Sequence, residues 1–341
     1  MTIKEQVKIL WKQCFHDTDE FIDFYFRKRY ADDLNSYVET DGRVIAALQR
    51  IPYLLTYEGM EMPVAYISGA CTEPSYRNKG VMRHLLAEAH RRMYREGIMF
   101  STLIPAEEWL KGYYACSGYA TCFSQTKKLL TASSLSVDNF PPLLKIVEIT
   151  PGSALCNDAY RFFYHFQSSQ EAYIQHDWED FHIILTDLQL SGGALWGAYR
   201  DNVLQGLCFC FPDESLLKIT ELVSTEKEVK QVLVDYLLSH YHRTQAECLG
   251  REGEVFYGLG MARIIHVEAM FRLLAKKFHE NLYIKVEGDE AIPENNGWHN
   301  IEDGCYINGR MEEREYRVLS IEELTRLLFD GKHPYMSLML N

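Results

Sequence analysis

Residues 68–90 read SGACTEPSYRNKGVMRHLLAEAH: the end of a strand, a basic turn with one glycine, and the start of an amphipathic helix. Residues 64–70 are apolar and β-permissive, as a mostly buried strand requires. Pro74 cannot continue a ladder, and it biases Glu73 toward an extended backbone. Behind the turn, Val81, Leu85, Leu86, Ala89 and Met93 recur at helical spacing. A loop that opens a helix aims unpaired N–H groups and the positive end of the helix dipole at one point. Gly80 leaves that point free of a side chain, while Arg77, Lys79 and Arg83 surround it with positive charge. The combination suits a phosphate or pyrophosphate.

The rest of the chain narrows the class of molecule. Its 341 residues suffice for two or three domains. No run of eighteen apolar residues occurs, so no membrane span is expected, and the N-terminal MTIKEQVKIL lacks the apolar core of a secretory signal. The nine cysteines form no CxxC pair and are odd in number, which favours a reducing cytoplasm over a disulfide framework. The spacings of His84 with His90 and of His240 with His242 do not match a ligand set, and no metal is expected. A net charge of −13 argues against a nucleic-acid binder, since phosphate contacts dominate that affinity. An acidic protein with one basic loop suits an anionic cofactor and a cationic second substrate.

Residues 2–30 read as helical, with an acidic and aromatic stretch over 17–25. Asp41-Gly42 marks a hairpin within residues 35–50. After the motif helix come a strand over 100–104, a short helix over 105–114 and a strand over 119–129. This order predicts an α/β layer domain over residues 1–130. A turn-rich linker over 131–142 leads to a second unit, where hairpin, strand, helix and strand recur in the same order. There the strand-to-helix junction is Glu221-Leu-Val-Ser-Thr-Glu-Lys-Glu228, whose acids would repel a pyrophosphate, with Ser224 or Thr225 as N-cap. A third unit over 261–341 carries a hairpin around Asn308-Gly309 and a helix capped by Ser320 and Glu323. Its apolar tail, residues 334–341, is expected to be docked.

Pro-x-x-Arg-x-x-Gly followed by an apolar helix resembles the acetyl-CoA loop of the GNAT acetyltransferases. Taken with YYACSGYATC, GMARIIHVEAMFRLL and the C-terminal helix, it makes the whole chain similar to the Eis-like branch of that superfamily. The resemblance implies an α/β (α+β) chain of tandem GNAT folds with mixed central sheets and a small sterol-carrier-like C-terminal domain. The corresponding divisions are 1–130, 131–260 and 261–341, with the cofactor only in the first. It further implies that the backbone of Ala70, Cys71 and Thr72 runs along the pantetheine arm. The pyrophosphate loop corresponds to Arg77, Asn78, Lys79, Gly80, Val81, Met82 and Arg83. Tyr114 and Ala115 match a further cofactor-contacting pair. Tyr119 matches the general acid, and the carboxylate of Asn341 the general base. The third unit is short for the family, and Cys116 and Ser117 stand where a basic residue and an aromatic are usual.

The residue types suit the chemistry. An amine must lose a proton to attack a thioester, and the departing thiolate must gain one from a group such as a phenol. N–H groups near Cys71 could polarise the carbonyl. The expected activity is acetyl-CoA-dependent transfer to a primary amine, an aminoglycoside-like polyamine or a lysine side chain, in a cytoplasmic protein with possible hexamers. The alternatives are a non-catalytic acyl-CoA sensor or carrier, and a tandem-GNAT transferase of another acyl or aminoacyl group.

Overall fold

The computed structural model describes residues 1–132, 144–251, 255–277 and 280–340. Two helices open the chain, α1 (Ile3–Cys14) and α2 (Asp19–Lys28). The expected continuous helix breaks because Thr18 caps α2 through its hydroxyl, while Asp17 accepts a 2.7 Å hydrogen bond from the Trp11 indole. Strands β1 (Asn35–Thr40), β2 (Arg43–Tyr57) and β3 (Met60–Thr72) form an antiparallel meander. Its tight turns are Asp41-Gly42 and Glu58-Gly59, all four residues with positive φ, as two-residue hairpin turns require. Helix α3 (Val81–Arg95), strand β4 (Phe100–Leu103), helix α4 (Leu110–Ala115) and strand β5 (Ala120–Thr131) follow.

The linker expected after β5 lies, from Ser133 onward, outside the described residues. The chain then runs through β6 (Leu144–Ile149), α5 (Leu155–Ser168), β7 (Ile174–Gln175) and α6 (Trp178–Leu190). Next come β8 (Ala194–Arg200), β9 (Val203–Pro212), β10 (Leu217–Ser224), α7 (Lys227–His240), β11 (Gln245–Gly250) and β12 (Phe256–Ile264). The last elements are α8 (Val267–Ala275), β13 (Leu282–Val286), β14 (Gly297–Glu302), β15 (Cys305–Asn308), β16 (Arg317–Leu319) and α9 (Ile321–Phe329). Ser320 and Glu323 form the expected capping box on α9. The late hairpin turns at Asp303-Gly304 rather than Asn308-Gly309, since Glu302 pairs with Cys305 and Asp303 has φ 52°.

The chain divides into two compact units, Met1–Phe123 with Leu259–His333 and Ser124–Gly258 with Pro334–Leu340. In the first, the mixed sheet runs β1–β2–β3–β4–β12, and β3 and β4 are parallel. Its core on the α3 side is built from Ala46, Leu48, Ile67, Leu85, Leu86 and Met93. On the other side Val7, Leu10, Trp11, Tyr25 and Phe26 pack against Val44, Ala47 and Cys71. Burying this many apolar side chains at about 1.5–3 kcal/mol each provides the main stabilisation. A smaller sheet, β15–β14–β13–β16, completes the unit.

In the second unit the strands run β11–β10–β9–β8–β6, with β10 and β11 parallel. The order β8, β9, β10, α7, β11 repeats that of β1, β2, β3, α3, β4. The tail segment is docked in this unit. Tyr335 bridges to Tyr173, and both hydroxyls donate to buried Glu221 at 3.2 Å. Among the described residues, no helix is long and apolar enough to cross a membrane.

Candidate active site

The parallel register between β3 and β4 runs from Val64 opposite Phe100 to Tyr66 opposite Thr102. There the strands part. β4 ends at Leu103 while β3 continues to Thr72, so from residue 67 onward one edge of β3 has no β4 partner among the described residues. On its other edge the register to β2 shifts between Ala47–Cys71 and Gln49–Ser68, a bulge centred on Gly69 with φ 60°. A bulge increases local twist and re-aims the backbone groups beside it. Gly69 is required here because the Trp11 ring occupies the space of its missing Cβ. This residue was not among the expected site residues; a glycine within a strand pattern was its only signal.

The loop after β3 ends on two left-handed residues, Asn78 with φ 60° and Gly80 with φ 77°. Gly80 is the N-cap of α3 and supplies no side-chain cap. The ladder begins with the His84 N–H donating to the Gly80 carbonyl, so the N–H groups of Val81, Met82 and Arg83 have no place in it. Nothing lies within 4 Å of where a Gly80 Cβ would stand. The loop's cations differ in role. Arg77 turns back onto the strand, its Nε donating to the Thr72 carbonyl at 3.1 Å. The Lys79 ammonium sits over the Tyr76 ring, and Arg83 pairs loosely with Glu290 at 3.6 Å.

Gly80, Arg83 and Ala115 share the lining of a cavity of about 520 Å³ with His90, Cys116 and Arg263. Ala70, Val81 and Met82 pack on the cluster that contains Tyr114 and Tyr119. Tyr119 is fully enclosed. Its hydroxyl lies 2.6 Å from Ser101 Oγ and 3.0 Å from His90 Nε2. Burial drives the phenol well above its ordinary value, so it stays protonated at neutral pH. Burial, followed by the nearby Arg263 and Arg91 charges, pushes His90 well below the usual imidazole range, leaving it neutral. Burial also raises Tyr114 to about 12, its ring 5.8 Å from that of Tyr119. Asn341 lies outside the described residues.

In the acidic stretch Asp19 pairs with Lys12 and Asp23 with Lys8, each at 2.5 Å. In the second unit the helix N-cap is Glu226, not Ser224 or Thr225, and its carboxylate is held by Arg200 at 3.1 Å. Its backbone is extended, so the left-handed glycine of the first unit has no counterpart at that residue.

Residues 3–122 match the family model described as "Acetyltransferase (GNAT) domain". Solved structures of similar fold include a GCN5-related N-acetyltransferase from Anabaena variabilis, 16% identical, with a TM-score of 0.75 over 96% of this chain and 87% of that one. A GCN5-related N-acetyltransferase from Kribbella flavida is 15% identical, with a TM-score of 0.75 over 95% and 85%. Eis1 from Mycobacterium abscessus is 12% identical, with a TM-score of 0.72 over 96% and 86%. Curated protein sequences contain no significant match. At such identities the structures establish the fold. The domain matched over residues 3–122 is itself of the acetyltransferase class. GNAT enzymes draw the acyl group from an acyl-CoA and deliver it to an amine of a small molecule or protein.

Proposed function

We propose that the protein is an Eis-like acetyl-CoA-dependent N-acetyltransferase that acts on a primary amine by direct transfer in a ternary complex. The observation that carries this reading is the pairing of a left-handed, side-chain-free Gly80 at the start of α3 with the unpaired edge of β3. The pyrophosphate takes the N–H groups of Val81, Met82 and Arg83, where a helix N-terminus favours an anion. The pantetheine amides extend along Ala70, Cys71 and Thr72 in the manner of an added strand, while Tyr114 and Ala115 close the other side. Arg77, Asn78 and Lys79 shape the loop. The acceptor is a polyamine of aminoglycoside type or a lysine side chain.

For the leaving thiolate, Tyr119 is the assigned proton donor. Its contact with His90, a residue of the cavity wall, supplies a route by which the phenol regains its proton. Tyr114 is the second candidate, favoured by its place in the cluster against which Ala70 of the cofactor strand packs. The base assigned by resemblance is the carboxylate of Asn341. The second unit acts as a degenerate GNAT fold without cofactor, and residues 261–341 as the sterol-carrier-like part. Free-CoA release on a panel of polyamines and lysine peptides tests the reading. Acetyl-CoA binding without any product would overturn it in favour of a sensor. A short extension beyond Asn341 that leaves turnover intact removes the carboxylate from the mechanism.

A further inference from the structure

Cys14 is the last residue of α1, and Cys71 lies one residue before the end of β3, far apart in sequence. The fold packs Cys14 against the cluster that contains Cys71, which brings the two thiols together. Cys14 Sγ is 3.6 Å from Arg77 Nη2 and 3.4 Å from the Thr72 carbonyl oxygen. The two sulfurs differ in access: Cys14 is half-buried and Cys71 buried. Cys14 therefore meets solvent and small reagents, while Cys71 meets chiefly what Cys14 carries.

We propose that Cys14 and Cys71 are a peroxide-responsive dithiol that closes into a reversible disulfide beside the cofactor loop. Cys14 is the attacking sulfur and Cys71 the resolving one. The Cys14 thiolate attacks one oxygen of hydrogen peroxide, the O–O bond breaks, and hydroxide leaves, giving a sulfenic acid. The Cys71 thiol then attacks the Cys14 sulfur. The S–S bond forms, the S–O bond breaks, and the Cys71 proton leaves with the hydroxyl group as water. Two thiols are oxidised and one peroxide is reduced to two waters, after protonation of the hydroxide. A dithiol reductant reverses the step by exchange.

The surroundings support this division of labour. The hydrogen bond from Cys71, and then the Arg77 guanidinium, hold the Cys14 thiol down to about 6, so it is largely thiolate at neutral pH. The same bond and burial push Cys71 well above the ordinary thiol range, keeping it protonated until Cys14 is modified. Closure also removes the anionic sulfur that faces Arg77, the residue tying the loop to Thr72. Oxidation thus releases one anchor of the loop that ends on Gly80. The dithiol chemistry rests on its own geometry, whereas its effect on turnover rests on the function proposed above.

The experiment treats the reduced full-length chain with hydrogen peroxide, then digests it without reductant for peptide mass spectrometry. The expected product is the Cys14 peptide joined to the Cys71 peptide, lighter by two hydrogens and separated again by dithiothreitol. In Cys71→Ser, Cys14 should instead accumulate as a sulfenic acid trapped by dimedone. In the unmodified chain, iodoacetamide should label Cys14 at least about tenfold faster than exposed Cys116. Oxidation of Cys116 and Cys305 with Cys14 and Cys71 left as free thiols would overturn the proposal. So would direct conversion of Cys14 to sulfinic acid without a bridge. In a parallel assay, peroxide should lower acetyl transfer by about tenfold, the scale of one charge-assisted hydrogen bond, and spare Cys14→Ser. A chain that forms the bridge yet shows no transfer before oxidation refutes the transferase reading and leaves the dithiol standing.

Discussion

The six-membered ring of Trp11 occupies the space that a β-carbon on Gly69 would need. A residue of α1 thereby holds the bulge in β3 just where that strand leaves β4. The relationship couples the first helix to β3 through packing alone.

Gly69→Ala should therefore be among the most damaging small substitutions in the chain. The methyl group collides with Trp11, and the residue must hold φ 60°, a left-handed angle that alanine adopts only with strain. The expected cost is about 2–4 kcal/mol, read as a lowered denaturation midpoint. Trp11→Ala in the same background should recover part of it by making room.

Gly80→Val tests the loop in the opposite way. Nothing crowds that position, so the fold should tolerate the change at a cost of about 1–2 kcal/mol for the left-handed backbone. The side chain would project at the helix start, and acetyl-CoA affinity measured by calorimetry should fall by about tenfold or more. Unchanged affinity would place the pyrophosphate elsewhere.

Tyr119→Phe removes the hydroxyl shared by Ser101 and His90. Turnover should drop by about 10²–10⁴-fold with acetyl-CoA binding retained. Stability should fall by about 1–3 kcal/mol, since buried polar partners are left unmatched. Tyr114→Phe is the necessary comparison. If it alone abolishes turnover, Tyr114 is the donor and Tyr119 a structural link.

His90 gives a pH dependence of known sign. Its folded-state value lies well below that of a free imidazole, so only the unfolded chain takes up this proton on mild acidification. Stability from this group is complete above about pH 6.5 and declines as pH falls from there toward the depressed folded value. His90→Gln can still reach Tyr119 without titrating. Midpoints measured from about pH 7.5 down to about pH 5 should fall less steeply in the variant.

Much of the architecture is legible locally. Asp41-Gly42, the α3 periodicity and the Ser320 capping box each depend on a few adjacent residues, and the structure contains all three. Misreadings occur where local signals compete. Thr18 and Asp17 divide a stretch whose residues are otherwise helical, and Asp303-Gly304 outcompetes Asn308-Gly309 for the same hairpin turn. Gly80 was readable because a glycine at a helix start has a conformational meaning that sequence carries.

By itself, then, the sequence determined the strand–loop–helix that opens on Gly80 and its repetition without that glycine. Backbone preferences and hydrophobic periods act over only a few residues. Tertiary structure alone decided that Trp11 would sit on Gly69, that Tyr119 would face His90 and Ser101, and that Cys14 would meet Cys71. Those partners are 18 to 58 residues apart or lie on different elements. Only the collapse of α1 and α3 onto opposite faces of one sheet brings them within bonding distance.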